Sequence, residues 1–219
     1  MGRENHLVLM DPLLAYIESN FILELAYLQE EHEACESILK LAEKRQIGLA
    51  VPAFCLTEPL ESWVRRERER RGFRNQFSRQ VRELTRSQPF HHLDVQSQEI
   101  ERALLLSSEQ EKQNLDSLLV RIARVARIIP VDLSTIEAAI RAQDDRDLSP
   151  QDAVVYASLI MDLERPSPLE SCFLTKNSRD FSTPAILADL LGKKCRALFR
   201  FTHALSYIQS LSTPTNDHE

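Results

Sequence analysis

Five short apolar runs, separated by longer stretches with helical periodicity, constrain the fold of this chain more than any other feature. Strands that alternate with helices favour a parallel sheet, because a parallel connection needs a long crossover that is usually helical. Continuous apolar runs are typical of strands that are buried on both faces. The pattern therefore predicts an α/β fold with a mostly parallel central sheet covered by helices on both faces. The runs are residues 13–17, 49–51, 128–131, 172–175 and 196–199.

The stretch from about 64 to 127 contains helical patterns only. No linker rich in Pro, Gly or Ser bounds it, so we interpret it as a helical insertion into the α/β unit rather than as a second domain. A single domain over residues 1–211 is predicted, followed by a polar, disordered tail over 212–219. The predicted helices of this stretch are 53–71, 74–87 after a break at Gly72, and 95–127 with a second break at Ser107-Ser108.

Composition excludes several classes of protein. The chain has only four glycines, and neither a G-x-G-x-x-G motif nor a P-loop is present. The four cysteines are far apart in sequence and form no C-x-x-C pair, so they predict neither a zinc site nor a disulfide scaffold. There is no signal-peptide pattern at the N-terminus, and no apolar stretch approaches the length that spans a bilayer. A reduced, cytoplasmic location is predicted.

The formal net charge of −6 hides an uneven distribution. The segment from Trp63 to Arg86 has nine arginines and three glutamates, a local excess of +6 in an otherwise acidic protein. One reading is an arm that contacts phosphates through electrostatic interactions that do not read sequence. The other is an exposed helical face stabilised by i,i+3 and i,i+4 ion pairs. The candidate nucleic-acid-binding residues are Arg65, Arg66, Arg68, Arg70, Arg71 and Arg74.

Four acidic residues in four separate segments form the candidate site. Glu18 and Asp180 follow predicted strands, and Glu58 and Asp152 lie in the first turns of predicted helices. In open α/β sheets, ligands bind outside the carboxyl ends of the parallel strands, so all four side chains could face the same edge. Carboxylates brought together repel one another unless a cation neutralises them, and oxygen ligands suit Mg²⁺ or Mn²⁺. Such ions can activate water for phosphodiester hydrolysis.

Each of these acids also has a simpler explanation. Glu18 could be an acid at a helix N-terminus, favoured by the helix dipole. Glu58 could be a solvated helix residue, and Asp180 could cap a loop. Asp152 could favour the helix start after Pro150, although Ser149 already supplies an N-cap there. The joint occurrence of the four acids favours a metal site.

Several motifs resemble those of the PIN-domain nucleases. The segment Thr175-Lys176-Asn177-Ser178-Arg179-Asp180-Phe181 resembles the family's Thr-x-Asn-x-x-Asp-Phe motif. The segment Asp152-Ala153-Val154-Val155-Tyr156-Ala157 resembles its Asp-Ala-x-x-x-Ala helix start, and Glu58 resembles its second acid. The chain departs from the family at Glu18-Ser19-Asn20, where an Asp usually stands first. Glutamate keeps the charge but reaches one methylene further.

The resemblance implies a PIN-like three-layer α/β/α fold and a metal-dependent nuclease, with single-stranded RNA favoured over DNA as the substrate. Glu18, Glu58, Asp152 and Asp180 would be both catalytic residues and ligands of Mg²⁺ or Mn²⁺. Ser19, Asn20, Thr175 and Asn177 would support them. Replacement of Asp152 or Asp180 by Asn is then expected to abolish cleavage.

Partners follow from the same resemblance. A homodimer is expected, with the apolar helices at 95–127 as its surface, and an antitoxin-type partner protein is a further expectation. The alternative function is a PIN-like fold that has lost catalysis and acts as an RNA-binding or protein-interaction module. The replacement of the usual Asp by Glu18 and the helical insertion favour this alternative. RNA binding that is indifferent to chelators would identify it.

Overall fold

A single five-stranded sheet forms the centre of the protein. The computed structural model describes residues 13–165 and 170–212. The strands are β1 (Leu14–Ile17), β2 (Gly48–Pro52), β3 (Arg127–Ile129), β4 (Ser171–Leu174) and β5 (Cys195–Leu198). Their order is β3-β2-β1-β4-β5, and every pair is parallel. The predicted parallel sheet is therefore confirmed.

Helices fill most of the connections between the strands. In chain order they are α1 (Ser19–Ala26), α2 (His32–Glu43), α3 (Phe54–Leu84), α4 (Leu93–Val125), α5 (Leu133–Arg146), α6 (Pro150–Leu163), α7 (Ser178–Phe181), α8 (Pro184–Gly192) and α9 (Phe201–Ser212). The short α7 lies in a segment that the sequence predicted as a loop. None of the helices in the described part of the chain combines the length and apolarity that crossing a bilayer requires. The predicted tail beyond Ser212 and residues 1–12 lie outside the described residues.

The helices cover both faces of the sheet. Parallel crossovers are right-handed, so connections that run in opposite directions along a sheet place their helices on opposite faces. The chain moves from β1 to β2 to β3 in one direction, which puts α1 to α4 on one face. It then returns through β4 and β5, which puts α5 to α8 on the other face. Packing agrees, because α1 contacts α2 and α4, whereas α5 packs on α6. The three-layer arrangement is confirmed.

The middle strands bring two chain segments level with each other. β1 and β4 are neighbours, and Ile17 pairs with Leu174 at their carboxyl ends. All four residues of each strand are buried, as expected of central parallel strands. The chain order reverses between these two strands, which makes this edge the topological switch point of the sheet. Residues 18 and 175 therefore begin neighbouring loops at the place where such sheets bind ligands.

Two predicted helix breaks are wrong. α3 runs through Gly72 without interruption, and α4 runs through Ser107 and Ser108. A glycine inside a helix costs only about 1 kcal/mol relative to alanine, and Glu67 pairs with Arg74 across it. Ser108 is buried against α3, where its hydroxyl hydrogen bonds to Glu67 and its carbonyl oxygen accepts from the Trp63 indole at 3.3 Å. Tertiary contacts between the two helices thus outweigh the local signals.

A buried carboxylate joins α6 to the sheet. Both oxygens of Asp162, whose side chain is 0% exposed, accept hydrogen bonds from Arg127 of β3. The Tyr16 hydroxyl of β1 donates to the same carboxylate at 2.7 Å. Burial and this contact raise the pKa of Tyr16 above its ordinary value. The group therefore ties the end of α6 to two strands at once.

Glu31 holds the start of α9 in place. Its carboxylate accepts hydrogen bonds from the backbone N–H groups of Phe201 at 3.3 Å and Thr202 at 3.2 Å, and from the Thr202 hydroxyl at 2.8 Å. Burial alone would raise the pKa of Glu31, but the bonds from Thr202 and Phe201 and the charge of Lys176 lower it. The ionised form is therefore favoured in the folded protein.

The variant Glu31→Gln is expected to lose about 1–2 kcal/mol of stability at neutral pH, as N-cap losses do. A lowered carboxyl pKa contributes stability above the unfolded value of about 4.3, and the contribution is lost as pH falls through the folded value. The difference between wild type and variant should therefore shrink as pH falls below about 4.3. Urea unfolding at neutral and acidic pH measures it, and a difference independent of pH would contradict this account.

Candidate functional site

A cavity of about 490 Å³ opens at the carboxyl ends of β1 and β4. Four elements contribute side chains to it: the start of α1, the second turn of α3, the start of α6 and the turn that follows β4. Three of the four predicted carboxylates line it together, and Asp180 does not. The lining residues are Glu18, Ser19, Asn20, Leu23, Glu58, Ser149, Gln151, Asp152, Val155, Lys176 and Asn177.

Glu18 is the most buried carboxylate of the cavity. It follows β1 directly and caps α1, because its Oε2 accepts a hydrogen bond from the backbone N–H of Asn20 at 3.1 Å. The residue is 6% exposed, and its Oε1 is buried with no hydrogen-bond partner among the described residues. Burial raises the pKa of Glu18 to about 7, the hydrogen bond from Asn20 opposes this rise, and the charge of Glu58 adds to it. One oxygen is therefore used by the helix, and the other lacks a donor.

Glu58 reaches the cavity because α3 begins almost directly after β2. The strand ends at Pro52 and the helix starts at Phe54, so Glu58 lies in the second turn, close to the sheet edge. The Ser19 hydroxyl donates a hydrogen bond to Glu58 Oε2. Since Ser19 directly follows Glu18, this bond links two of the cavity carboxylates through adjacent backbone positions.

Asp152 is held by its neighbours on two sides. Ser149 caps α6, and its hydroxyl accepts from the Asp152 backbone N–H at 3.2 Å and donates to Asp152 Oδ2 at 2.5 Å. The Asn177 side-chain amide donates to Asp152 Oδ1 at 3.0 Å. The sequence-based interpretation of Ser149 as the N-cap is correct, and the carboxylate of Asp152 remains on the cavity side.

The turn after β4 is ordered by its own side chains. Thr175 is fully buried, and its hydroxyl accepts from the backbone N–H of Asn177 at 2.8 Å. Asn177 caps α7 by accepting from the backbone N–H of Asp180 at 3.3 Å. Asp180 lies half-buried in the first turn of α7, outside the lining of the cavity. Of this motif, Asn177 is therefore the residue that reaches Asp152.

Lys176 lines the cavity, although it was not among the predicted site residues. Its ammonium group lies 2.8 Å from the buried carboxylate of Glu24 and 3.9 Å from that of Glu31. These two acids lie in and just after α1, so their proximity to Lys176 depends on the pairing of β1 with β4. The only sequence signal was its position between Thr175 and Asn177. Among the residues that the structure describes, it is the one cationic side chain that lines the cavity.

The six predicted nucleic-acid-binding arginines have different surroundings. Arg70 forms two hydrogen bonds with Glu111 of α4, at 2.8 and 2.7 Å. Arg66 lies 4.1 Å above the ring of Tyr27 and 3.6 Å from the same glutamate. Arg71 and Arg74 lie 3.5 and 3.8 Å from Glu67. Arg65 and Arg68 are exposed, and no ion pair within 4.0 Å joins them to any residue of the described ranges. Four of the six are therefore paired with acids, but only the pair of Arg71 with Glu67 has the i,i+4 spacing that the sequence suggested.

The lining of the cavity fits a hard divalent cation. Carboxylate, hydroxyl and amide oxygens are the ligands that Mg²⁺ and Mn²⁺ prefer, and Oε1 of Glu18 is a buried acceptor with no hydrogen-bond partner in the part of the chain that the structure describes. Within the described residues, no three acidic, His or Cys side chains already converge on one point as a metal cage. Mg²⁺ usually keeps several waters and uses one or two carboxylates, so a closed protein cage is not required.

Comparison with known proteins gives a family and a distant structural neighbour. A family model described as PIN domain matches residues 16–181. Comparison with curated protein sequences gives no match. Among solved structures, the fold is similar to a chain in the crystal structure of VapBC2 from Rickettsia felis bound to a DNA fragment from their promoter. The TM-score is 0.43 and the identity 11%, over 85% of this chain and 99% of that one.

Proposed function

The chain belongs to the PIN-domain family, a family of nucleases, and on that premise we propose that it is a metal-dependent endoribonuclease acting on single-stranded RNA. The observation that carries the proposal is the buried, unpaired Oε1 of Glu18 in a cavity shared with Glu58 and Asp152. A buried carboxylate oxygen without a donor is destabilising. A cation bound there would explain why such an oxygen occurs at the edge of the sheet where ligands commonly bind.

In this proposal three carboxylates bind the cation and the fourth acts from outside the cavity. Glu18, Glu58 and Asp152 would hold Mg²⁺ or Mn²⁺, and Asp180 would add negative charge from the neighbouring turn of α7. The bound ion would supply an activated water and stabilise the charge that develops on the phosphate. Ser19 fixes the carboxylate of Glu58, while Ser149 and Asn177 fix that of Asp152. Lys176, held between Glu24 and Glu31, would limit repulsion among the acids before a cation binds.

The substrate is proposed to be single-stranded because the scissile phosphate must reach a cavity whose carboxylates include the buried Glu18. Arg65 is the best placed of the predicted arginines to guide it. It lies seven residues after Glu58, so it is on the same face of α3 and about two turns, or roughly 10 Å, further along. Helical side chains lean toward the N-terminus of their helix, which directs the guanidinium back toward the cavity.

Cleavage of labelled single-stranded RNA and DNA in Mn²⁺, with EDTA as control, tests the proposal. We expect metal-dependent cleavage of the RNA inside the strand, and slower or no cleavage of the DNA. The protein should be shown to be folded by circular dichroism before the assay. A folded protein that binds Mn²⁺ and cleaves neither substrate would contradict the proposal.

Replacement of Glu18 by Gln should separate the metal site from the fold. Removing the buried, unpaired charge is expected to raise the melting temperature of the metal-free protein by about 2–4 °C, for a gain of about 1 kcal/mol. In wild type, saturating Mn²⁺ should raise the melting temperature by about 5–10 °C, the effect of a ligand at about a hundred times its Kd. This second shift should be largely lost in Glu18→Gln. The exposed Glu99→Gln is a matched control, and equal Mn²⁺ shifts in all three proteins would exclude Glu18 as a ligand.

A second candidate function is a binding module that has lost catalysis. The absence of a preformed cage among the described acidic, His and Cys residues favours it, as does Glu18 in the place of the family's Asp. Such a protein would bind single-stranded RNA equally well with EDTA and with Mn²⁺. Measured RNA affinities in the two conditions, together with the Mn²⁺ melting shift, distinguish it from the nuclease.

The domain organisation and oligomeric state are part of the same proposal. We treat α4, and α3 beyond about residue 64, as a helical insertion into one domain, because these segments contact each other more than they contact the sheet.

Self-association is supported by exposed apolar side chains on α4 and in a row on α5, where Leu133, Ile136 and Ile140 are 72%, 47% and 59% exposed. Solution scattering at micromolar concentration measures the mass, and a monomer would argue against the dimer.

A further inference from the structure

One face of α3 carries arginines at regular helical spacing. Positions 68, 71, 75, 79 and 82 follow one another at intervals of three and four residues, so their side chains form a single row. Four of these positions are Arg68, Arg71, Arg79 and Arg82, and the fifth is Asn75. All five residues are exposed. We call the four arginines the arginine stripe.

The arginine stripe lies on a different face of α3 from the residues that contact α4. The α3 residues that contact α4 follow a different row, which includes Trp63, Arg70 and Ser78. At about 100° per residue, Trp63 and Arg70 lie about a third of a turn from the middle of the stripe, and Ser78 lies about a sixth of a turn from it. Arg71 is 3.5 Å from Glu67 yet remains 68% exposed, so the pair is weak and leaves the guanidinium accessible. The helix therefore separates arginines that bond to residues of α4 from arginines that face solvent.

The arginine stripe begins close to the candidate site. Arg68 lies ten residues after Glu58 on the same continuous helix, or about 15 Å along its axis, and Arg82 lies about 21 Å beyond Arg68. Along the helix axis, Arg71 lies about 5 Å beyond Arg68 and Arg82 lies about 5 Å beyond Arg79, whereas Arg71 and Arg79 are about 12 Å apart because Asn75 lies between them. The shorter spacing is comparable to the spacing of phosphates in an extended polynucleotide. The continuity of α3 through Gly72 is what makes the row straight.

We propose that the arginine stripe is a docking track for the phosphate backbone of a single-stranded RNA whose scissile bond lies in the Glu18–Glu58–Asp152 cavity. The proposal deepens the nuclease function and rests on it. Planar guanidinium groups suit phosphate better than any other side chain, and the stripe contains no lysine. The remainder of the chain is acidic, so a strand that leaves the cavity is attracted along α3 and repelled elsewhere. The track would make activity depend on substrate length.

The double variant Arg79→Gln, Arg82→Gln tests the end of the track that lies far from the candidate site. We call it the distal variant. Glutamine keeps helix propensity, so α3 should persist. Binding of a long single-stranded RNA, measured by fluorescence anisotropy in EDTA, should weaken by about tenfold at low salt. The slope of log affinity against log salt should decrease by about 1.4 in magnitude, at about 0.7 per phosphate contact on a single strand. The pair Arg79→Lys and Arg82→Lys should retain most of the affinity.

Matched controls and a second substrate complete the test. Arg102→Gln with Arg124→Gln removes two exposed arginines of α4 and should leave RNA affinity unchanged. Cleavage of a very short oligonucleotide, too short to reach Arg79, should be equal in wild type and in the distal variant. Equal binding of long RNA by wild type and the distal variant would overturn the track, as would an equal loss in the α4 control. Tighter binding of a poly-glutamate peptide than of RNA would assign the stripe to an acidic protein instead.

Failure of the track and failure of the nuclease function give different results. If the protein is not a nuclease, no RNA of any length is cleaved, while binding in EDTA still reports on the stripe. If the track is wrong but the function is right, wild type and the Arg79/Arg82 glutamine variant cleave long RNA with equal efficiency, as they do short RNA. The binding and cleavage measurements therefore test the two proposals separately.

Discussion

Replacing Asp152 by Asn is expected to reduce metal-dependent cleavage of single-stranded RNA by about a thousandfold. Charge stabilisation by a bound divalent ion contributes several kcal/mol to such reactions, and about 4 kcal/mol corresponds to three powers of ten in rate. Asn keeps the size of the side chain and the Oδ1 that accepts from Asn177 at 3.0 Å. It removes the negative charge that would hold the ion. The measurement is single-turnover cleavage of a labelled RNA in Mn²⁺.

The structure offers a matched control and a graded comparison for this variant. Asp144 is an exposed residue of α5 outside the cavity lining, and Asp144→Asn should cleave like wild type. Asp180 lies outside the lining of the cavity, three residues after Asn177 in the first turn of α7. Asp180→Asn should therefore lose activity by only about 10- to 100-fold, as happens when a residue that contacts a metal ligand, but not the metal, is replaced. Full activity in Asp152→Asn would remove Asp152 from the site. Equal losses at both positions would place Asp180 beside the ion.

Replacing Asp162 by Asn is expected to destabilise the fold by about 3 kcal/mol. Loss of one partner from a buried ion pair typically costs about 3–5 kcal/mol, and the lower end applies because the Arg127 side chain is 43% exposed. The new amide would also direct N–H groups toward the guanidinium that donates to it. For a chain of this length, the melting temperature should fall by about 6–12 °C.

The second variant also has a built-in control. Asp116 forms an exposed i,i+4 pair with Lys112 on α4, and Asp116→Asn should change stability by less than about 0.5 kcal/mol. Urea unfolding followed by circular dichroism measures both variants, with an unchanged slope expected for each. Similar stabilities of Asp162→Asn and wild type would show that the contact with Arg127 and Tyr16 does not hold α6 to the sheet.

The strands were predictable because burial on both faces leaves a continuous apolar run that polar residues interrupt only at its ends. β4, with all four residues buried, is a clear example. The helix breaks were not predictable in the same way. Gly72 and Ser108 are locally unfavourable for a helix, but the contacts of α3 with α4 lie about 40 residues away in sequence and decide the outcome. Local propensity is weaker than such packing.

In the candidate site, too, some features could be predicted from the sequence and others depended on tertiary contacts. The positions of Glu18 after β1 and of Asp152 at a helix start could be placed at one sheet edge from the sequence, and the structure brings them and Glu58 to one cavity. The exclusion of Asp180 from the lining depends on α7, a single helical turn that the sequence did not reveal. The pairing of Lys176 with Glu24 required the lateral contact of β1 with β4.

The sequence by itself determined the parallel α/β fold, the edge at which the acids gather and the arginine-rich character of α3, because each depends on the order and periodicity of residues along the chain. Tertiary structure alone decided which arginines face α4 and which face solvent, and it alone left Glu18 Oε1 without a hydrogen-bond partner among residues 13–165 and 170–212. Those properties depend on which side chains meet across the sheet and between helices. These contacts between residues that are distant in sequence determine the electrostatics of the site, and the order of residues along the chain does not specify them.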